Sequence, residues 1–269
     1  MTTSSAPSSV LSVATRFALL EHARNRLGLC MIAGFVPLWL TLEQLFIPAD
    51  LVVFTPARHQ PPFTVPGNDL TLILAAANAV TLIIGFMTFT ATYRCRYFDG
   101  RLVRSGFPHG WLFAGKIVAL NLAAACTAAY TTAVMAVHLS LHSPWTVALG
   151  LLSAGLTYGG LGMALASLLP GELEGMFAII MISLIDAGLQ NPMFNPTADR
   201  TLVSFLPMYG GMQTAVSGTF GARIPVTELL AELTWASGLA ASGLFFFWAR
   251  CKPRAASQRH KESPTWPEA

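Results

Sequence analysis

The chain alternates between long apolar runs and short polar segments. A helix that crosses the hydrocarbon core of a bilayer needs about 20 mostly apolar residues. Residues 70–93 form such a run, with no charge between Asp69 and Arg94. The stretch between Lys116 and Glu172 also contains no Asp, Glu, Lys or Arg, and it is long enough for two crossings. The pattern is therefore typical of a helical membrane protein.

The long uncharged stretch is interrupted at 138–144 (HLSLHSP), where two histidines, serines and a proline break the apolar pattern. This interruption predicts a connection between two helices. Pro170 and Gly171 end the second of them. Together with the other apolar runs, the pattern predicts an all-α membrane protein with six transmembrane helices, at about 27–47, 70–93, 117–137, 145–169, 174–190 and 228–249.

Residues 202–220 are moderately apolar, but they contain Pro207, Gly210, Gly211 and Gly218. These residues interrupt a simple spanning helix. Irregular backbone at membrane depth requires protein or water to satisfy its polar groups. We therefore expect a re-entrant or interfacial outer hairpin between helices 5 and 6.

The N-terminal segment 1–26 precedes the first apolar run. Between Ser9 and Arg26, apolar residues recur near helical spacing with charges between them. This pattern indicates an amphipathic helix on the inner membrane surface; a plain basic flank that only fixes topology is the alternative. At the other end, 250–269 form a basic tail.

The positive charges are unequally divided between the two sides. With six crossings, one side carries 13 of the 16 Lys and Arg residues. Cytoplasmic loops carry the excess of positive charge, so both termini are predicted to be cytoplasmic. Apolar residues make up 54% of the chain and charged residues 11%, where soluble domains have about a quarter charged. The clustering of the basic residues in short segments argues against nucleic-acid binding.

One motif suggests a nucleotide site. Residues 110–117 read GWLFAGKI, with the Gly-x4-Gly-Lys spacing of a phosphate-binding loop. Ile117 replaces the hydroxyl residue that would hold magnesium, and large apolar residues fill the loop. We therefore interpret this stretch as the end of a cytoplasmic loop, 94–116, at the membrane surface.

That loop carries a family resemblance. Asp99-Gly100-Arg101-Leu102 is followed by Gly106-Phe107-Pro108 and a Gly-Lys that opens the third helix. With six predicted helices, an amphipathic N-terminal helix and Leu206-Pro207 in a long outer segment, this order resembles the membrane subunit of ABC-2 type ABC exporters. The resemblance covers about 10–250 and implies a multi-pass permease of the bacterial plasma (inner) membrane.

The resemblance also implies partners and roles. A separate ABC ATPase subunit would bind ATP and Mg, so the permease would carry no cofactor, no metal and no catalytic residue. A second permease copy or a paralogue would complete a dimer among the membrane lipids. The first inner loop would form a short coupling helix, with the turn at 170–174 as a smaller contact. The implied ATPase-coupling residues are Tyr97, Phe98, Asp99, Arg101, Leu102, Arg104, Phe107, Pro108, Glu172 and Glu174. The two glutamates could instead cap the fifth helix.

The resemblance further implies that the second and fifth helices face the path of the substrate. Apolar spans with few polar groups favour a drug-like molecule, an antibiotic or a lipid as the substrate, although members of the resembled family also move polysaccharides. The candidate path residues are Asn78, Thr81, Ser183 and Asp186. Asp186 is predicted well inside a span, where a charge faces protein or water. It either lines the path or braces a helix break, and the sequence leaves both open. Gly155, Gly159, Gly160 and Gly162 form a small-residue face, for packing within the subunit or for dimerisation.

Two other functions remain as alternatives. A secondary transporter without an ATPase would show internal repeats with paired broken helices. An intramembrane lipid-modifying enzyme would bring His, Asp, Glu or Ser together at membrane depth. The sequence shows no convincing repeat. Asp186 is the only acidic residue well inside a predicted span, and no His lies beside it.

Overall fold

The computed structural model describes residues 7–56, 61–198 and 200–251 and is mostly helical (79%). The first six residues and most of the predicted basic tail lie outside the described residues. A π-helical turn, Met31–Phe35, joins α2 to α3. The helices are α1 Pro7–Arg24, α2 Arg26–Cys30, α3 Val36–Phe46, α4 Gly67–Arg104, α5 His109–His138, α6 Pro144–Leu168, α7 Glu172–Gln190, α8 Tyr209–Phe220 and α9 Val226–Cys251.

Within the described residues, five helical stretches are long and apolar enough to cross a membrane. The protein is therefore compatible with a multi-pass membrane protein. The predicted fifth span corresponds to α7, which carries Glu172, Glu174 and Asp186 and is not among the five. The five stretches are Arg26–Phe46, Gly67–Arg104, Gly110–His138, Pro144–Leu168 and Val226–Ala249.

Helix α4 lies at the centre of the bundle. It packs against α3, α5, α6 and α7, and 94% of its most apolar stretch is buried. Its run of small and branched residues, including Ala76, Ala77 and Val80, allows neighbours on every side to approach closely. Helix α9 and the stretch Arg26–Phe46 lie at the periphery of the bundle, because only 11% of the most apolar part of each is buried.

The predicted loop 94–116 is wrong in its main part. Helix α4 continues through Arg94 to Arg104, and α5 begins at His109, eight residues before the predicted start of the third span. Only a short turn separates the two helices, with Gly106 at φ +96°. The loss of apolar residues after Tyr93 marks the end of the lipid-compatible stretch, but nothing in 94–104 breaks a helix. At 38 residues, α4 is about 57 Å long.

The segment 191–220 begins and ends at one end of the bundle. Asn191 Nδ2 donates to Thr71 Oγ1 (3.3 Å), in the first turns of α4. At the other end of the segment, the backbone N–H of Ser143 donates to Gly218 O (2.7 Å), in the α5–α6 connection. Helix α8, with 12 residues, is about 18 Å long and too short to cross a bilayer.

A small β-hairpin lies in the segment between α3 and α4, which the sequence analysis left without structure. β1 (Leu51–Phe54) pairs antiparallel with β2 (Phe63–Pro66), and Phe54 stands opposite Phe63. The Phe63 ring contacts that of Phe220 edge to face, 5.9 Å between centroids. This contact attaches the hairpin to the end of α8.

Helix α1 packs against α5 through its smallest residues. Ala14, Ala18 and His22, one helical turn apart, are buried. Phe17 and Leu20 point away and are 62% and 47% exposed. The exposed apolar side chains suit a helix that lies along a membrane surface.

Candidate functional site

Three of the four predicted path residues form one hydrogen-bonded group between α4 and α7, here called the Asn78 cluster. Asn78 Nδ2 donates to Ser183 Oγ (2.7 Å) and to Ser183 O (3.1 Å). The hydroxyls of Thr81 and Ser183 lie 2.8 Å apart. All three side chains are buried. The cluster fixes the register between α4 and α7, because each polar group is paired where no water competes.

Asp186 lies one turn beyond Ser183 on the same face of α7. Its Oδ2 accepts hydrogen bonds from Tyr158 Oη (2.8 Å) and from the backbone N–H of Met208 (3.0 Å). Its Oδ1 accepts from Gln190 Nε2 (2.5 Å). The side chain is 1% exposed.

These contacts favour the bracing role of Asp186 over a position on an open path. Tyr158 belongs to α6 and Met208 immediately precedes α8, so one carboxylate joins α6, α7 and the start of α8. The Met208 N–H is one of the donors that a helix start leaves unpaired. Asp186 accepts the hydrogen bond of this N–H, and because the two residues are far apart in sequence, no local sequence pattern predicts the contact.

Glu232 is a second buried carboxylate, and the sequence analysis missed it. It lies near the start of the predicted sixth span at 228–249, and it is 1% exposed. Ser153 Oγ donates to its Oε2 (2.9 Å), while its Oε1 has no hydrogen-bond partner. Asp186 is therefore not the only acidic side chain buried inside the bundle. The glycine and hydroxyl residues of α6 and α8 were the sequence signal that could have indicated a polar site between these helices.

Glycines bring α6, α8 and α9 close enough to enclose Glu232. A Cβ on Gly211 would lie 2.5 Å from Gly150 O and 2.8 Å from Glu232 Oε2. A Cβ on Gly162 would lie 2.5 Å from Gly85 O, and one on Gly160 would lie 3.0 Å from Ala236 O. The predicted small-residue face of α6 thus packs against α4 and α9 within this chain.

The residues of the phosphate-loop-like motif have a structural role. GWLFAGKI lies entirely within α5, so no loop is available to surround phosphates. A Cβ on Gly115 would lie 2.8 Å from the Ala14 carbonyl carbon, so this glycine permits the α1–α5 crossing. Lys116 Nζ lies 2.5 Å from Oδ2 of Asp99, and both side chains are largely buried.

Asp99 is consequently not a surface contact, contrary to its prediction as a coupling residue. It is 2% exposed and lies under the turn between α4 and α5. The helical continuation of α4 turns this residue inwards towards Lys116, whereas a loop would have left it in solvent. The pair fixes how α4 and α5 meet.

Other predicted coupling residues form an exposed surface at this end of the bundle, here called the basic end. Tyr97 and Phe98 are 72% and 59% exposed, and Arg101 and Arg104 are also exposed. Pro108 and Glu174 are exposed as well. Leu102, Phe107 and Glu172 are partly buried.

The two predicted inner contacts lie side by side at the basic end. Arg94 and Glu172 form a salt bridge of 2.8 Å, with the Arg94 side chain 68% exposed. Tyr93 Oη donates to Pro170 O. The last turns of α4 are therefore attached to the α6–α7 turn.

Two titratable residues of α1 are buried against α4 and α5. Burial, helped by the positive charge of Lys116, lowers the pKa of His22 to about 4. Burial raises the pKa of Glu21, and a hydrogen bond from Cys95 Sγ to Glu21 Oε1 (3.0 Å) opposes that rise. His22 is therefore neutral at physiological pH.

In the part of the chain that the structure describes, no group of three or more His, Cys, Asp or Glu side chains is arranged to hold a metal ion. No family model matches the sequence, and no curated protein shows significant similarity to it. The function of the chain is therefore inferred from its residues and their geometry.

Proposed function

We propose that this chain is the membrane-spanning permease subunit of an ATP-driven ABC exporter. In this proposal it forms the translocation path and binds a separate ATPase subunit, which holds ATP and Mg. The observation that carries the proposal is the continuity of α4, which joins the exposed basic end to the Asn78 cluster without a break. A force on the basic end would move α4 as one rigid element.

The connection to α7 supports this mechanical role. Arg94 and Glu172 attach α4 to the start of α7, and Asn78 and Ser183 attach the two helices again deeper in the bundle. Helices α4 and α7 would therefore move together. Such a motion would favour one of two helix arrangements, depending on whether the ATPase is engaged.

The proposal includes a topology. Helix α7 would be the remaining crossing, fifth in chain order, with the Asp186 carboxylate paired by hydrogen bonds inside the protein. Residues 191–220 would form a re-entrant hairpin at the outer surface, since the segment leaves and returns at one end of the bundle. Both termini and the basic end would then face the cytoplasm, in agreement with the charge distribution.

A dimer completes the proposed machine. A second copy or a paralogue would face α4 and α7 in the bacterial inner membrane. The substrate would be drug-like, an antibiotic or a lipid. The peripheral helices α2, α3 and α9 would contact lipid.

The test is co-purification. The chain is tagged, co-expressed with a candidate ABC ATPase from the same organism, and purified in a mild detergent. We expect recovery of the ATPase and stimulation of its ATP hydrolysis. Absence of both results would contradict the proposal.

The coupling surface is tested with Arg101→Glu combined with Arg104→Glu. We expect weaker ATPase recovery with normal membrane insertion, because both side chains are exposed and, within the described residues, neither forms a hydrogen bond or ion pair with another helix. Arg200→Glu, an exposed reversal in the 191–220 segment, is the control and should recover ATPase normally. Equal ATPase recovery by the double variant and the control would show that the basic end does not bind the ATPase.

A further inference from the structure

A groove of about 190 Å³ lies on the side of the bundle between α3, α4 and α7. Its wall is mostly apolar, and Leu184 and Phe194 are 50% and 67% exposed at its edge. An apolar molecule could therefore extend from the groove along the lipid-compatible surface of the bundle. The groove borders Asn78, so it reaches the predicted path residues.

Two residues of α3 give this groove its chemistry. Trp39 and Glu43 are four residues apart, so they share one helix face, and both line the groove. The Glu43 carboxylate makes no hydrogen bond or ion pair with any residue in 7–56, 61–198 or 200–251. The indole Nε1 of Trp39 is buried without an acceptor. An aromatic ring and an unpaired carboxylate thus lie next to one another.

The neutral polar groups of the groove are already engaged by the protein. Asn78 donates to Ser183. Asn191 donates to Thr71, and the Thr71 hydroxyl in turn donates to the sulfur of Met193. No Lys, Arg or His lines the groove as far as the structure describes the chain. The negative charge of Glu43 is therefore the principal polar feature left for a ligand.

We infer that this groove binds the cationic head of an amphiphile, with Glu43 as the counter-ion and Trp39 as the aromatic wall. A carboxylate attracts a cation most strongly where apolar walls exclude water. A tryptophan ring attracts quaternary ammonium groups through its quadrupole, without hydrogen bonds. The head is small enough for the groove, and the apolar tail lies along Leu184 and Phe194.

This inference rests on the proposed function in one respect only, which is that the bound amphiphile is also the transported substrate. Binding itself needs no ATPase. The inference narrows the substrate class from drug-like, antibiotic or lipid molecules to amphiphilic monocations. A quaternary ammonium compound has this chemistry.

The test is calorimetric binding to the full chain in dodecyl maltoside micelles, which carry no ammonium group, with protein-free micelles subtracted. The probes are 4-phenylbutyltrimethylammonium and its neutral isostere, in which a tert-butyl group replaces the trimethylammonium group. We expect the cation to bind at least about tenfold more tightly, a difference of about 1.4 kcal/mol. Glu43→Gln should remove this difference, and Trp39→Leu should weaken cation binding.

Glu174→Gln is the matched control, because Glu174 is an exposed carboxylate at the basic end. It should bind the cation like the wild type. Since Glu43 has no protein partner, Glu43→Gln should melt at the wild-type temperature, so loss of binding would not reflect unfolding. Equal binding of both probes to the wild type, or undiminished cation binding by Glu43→Gln, overturns the inference.

Failure of the inference and failure of the exporter proposal give different results. Selective cation binding by a chain that recovers no ATPase supports the groove and contradicts the exporter. ATP-driven transport of neutral compounds alone, without selective cation binding, supports the exporter and contradicts the groove.

Discussion

Lys116 Nζ and Asp99 Oδ2 lie 2.5 Å apart, with the two side chains only 12% and 3% exposed. The pair joins the last turns of α4 to the first turns of α5. A buried pair of this kind stabilises less than its Coulomb energy suggests, but removing one partner leaves an uncompensated charge. Lys116, which occupies the lysine position of the phosphate-loop-like motif, thus has a structural role.

We expect Lys116→Met to destabilise the protein by about 3–5 kcal/mol, because Asp99 would keep a buried, unpaired charge. The double variant Lys116→Met with Asp99→Leu should recover much of the loss. Melting temperatures in detergent measure both effects. Arg94→Gln serves as control, since its salt bridge is exposed and contributes at most about 1 kcal/mol. A loss no greater for Lys116→Met than for Arg94→Gln would contradict the buried pair.

Gly115→Leu should separate α1 from α5. Its side chain would collide with the backbone of Ala14 and Thr15, at 2.8 to 2.9 Å for the first carbon alone. We expect a lower melting temperature and faster proteolysis within α1. Gly110→Leu is the control, because it makes the same change in the same helix and a Cβ on Gly110 would meet nothing within 4 Å. The crossing would be in doubt if the two variants behaved alike.

Asp186→Leu should loosen the segment before α8. The Met208 N–H and the Tyr158 hydroxyl would both lose their acceptor, and a buried unpaired donor costs about 1–3 kcal/mol. The expected result is faster thiol labelling of a cysteine placed at Ser204, in a cysteine-free background. Asp186→Asn keeps one acceptor oxygen and should have a smaller effect. Normal labelling in Asp186→Leu, combined with lost transport, would favour the path-lining role instead.

The contact of α1 should weaken in acid because of His22. Its pKa is about 4 in the folded protein and near 6.5 when unfolded. Between these values the unfolded chain binds the proton and the folded chain does not. Stability is therefore lost as the pH falls from about 6.5 towards 4.

Glu21 acts in the opposite direction, since burial raises its pKa above 4.5 and favours its protonated form in the folded state. Comparing melting temperatures of wild type and His22→Gln between pH 7 and pH 4.5 isolates the histidine. The variant should lose less stability on acidification. Parallel curves would show that His22 does not titrate as its burial implies.

The sequence by itself determined where five lipid-compatible helices occur within the described residues. The interruption at 138–144 falls between the end of α5 at His138 and the start of α6 at Pro144. Such predictions succeed because the bilayer requires a long uncharged run and a helix satisfies its own backbone. The family resemblance made the three residues of the Asn78 cluster candidates for the path, but nothing in the sequence indicated that they bond to one another.

Only the tertiary structure decided what the polar residues do. The end of an apolar run shows where a helix leaves the lipid, but it does not show where the helix ends. The hydrophobic pattern therefore did not predict that α4 continues to Arg104. The partners of Asp99, Asp186 and Glu232 lie on other helices, and their contacts depend on how those helices pack. Gly115 and Gly211 show why: each lets two helices approach closely. The distance between two helices depends on the surfaces of both, so the sequence of one helix cannot predict it.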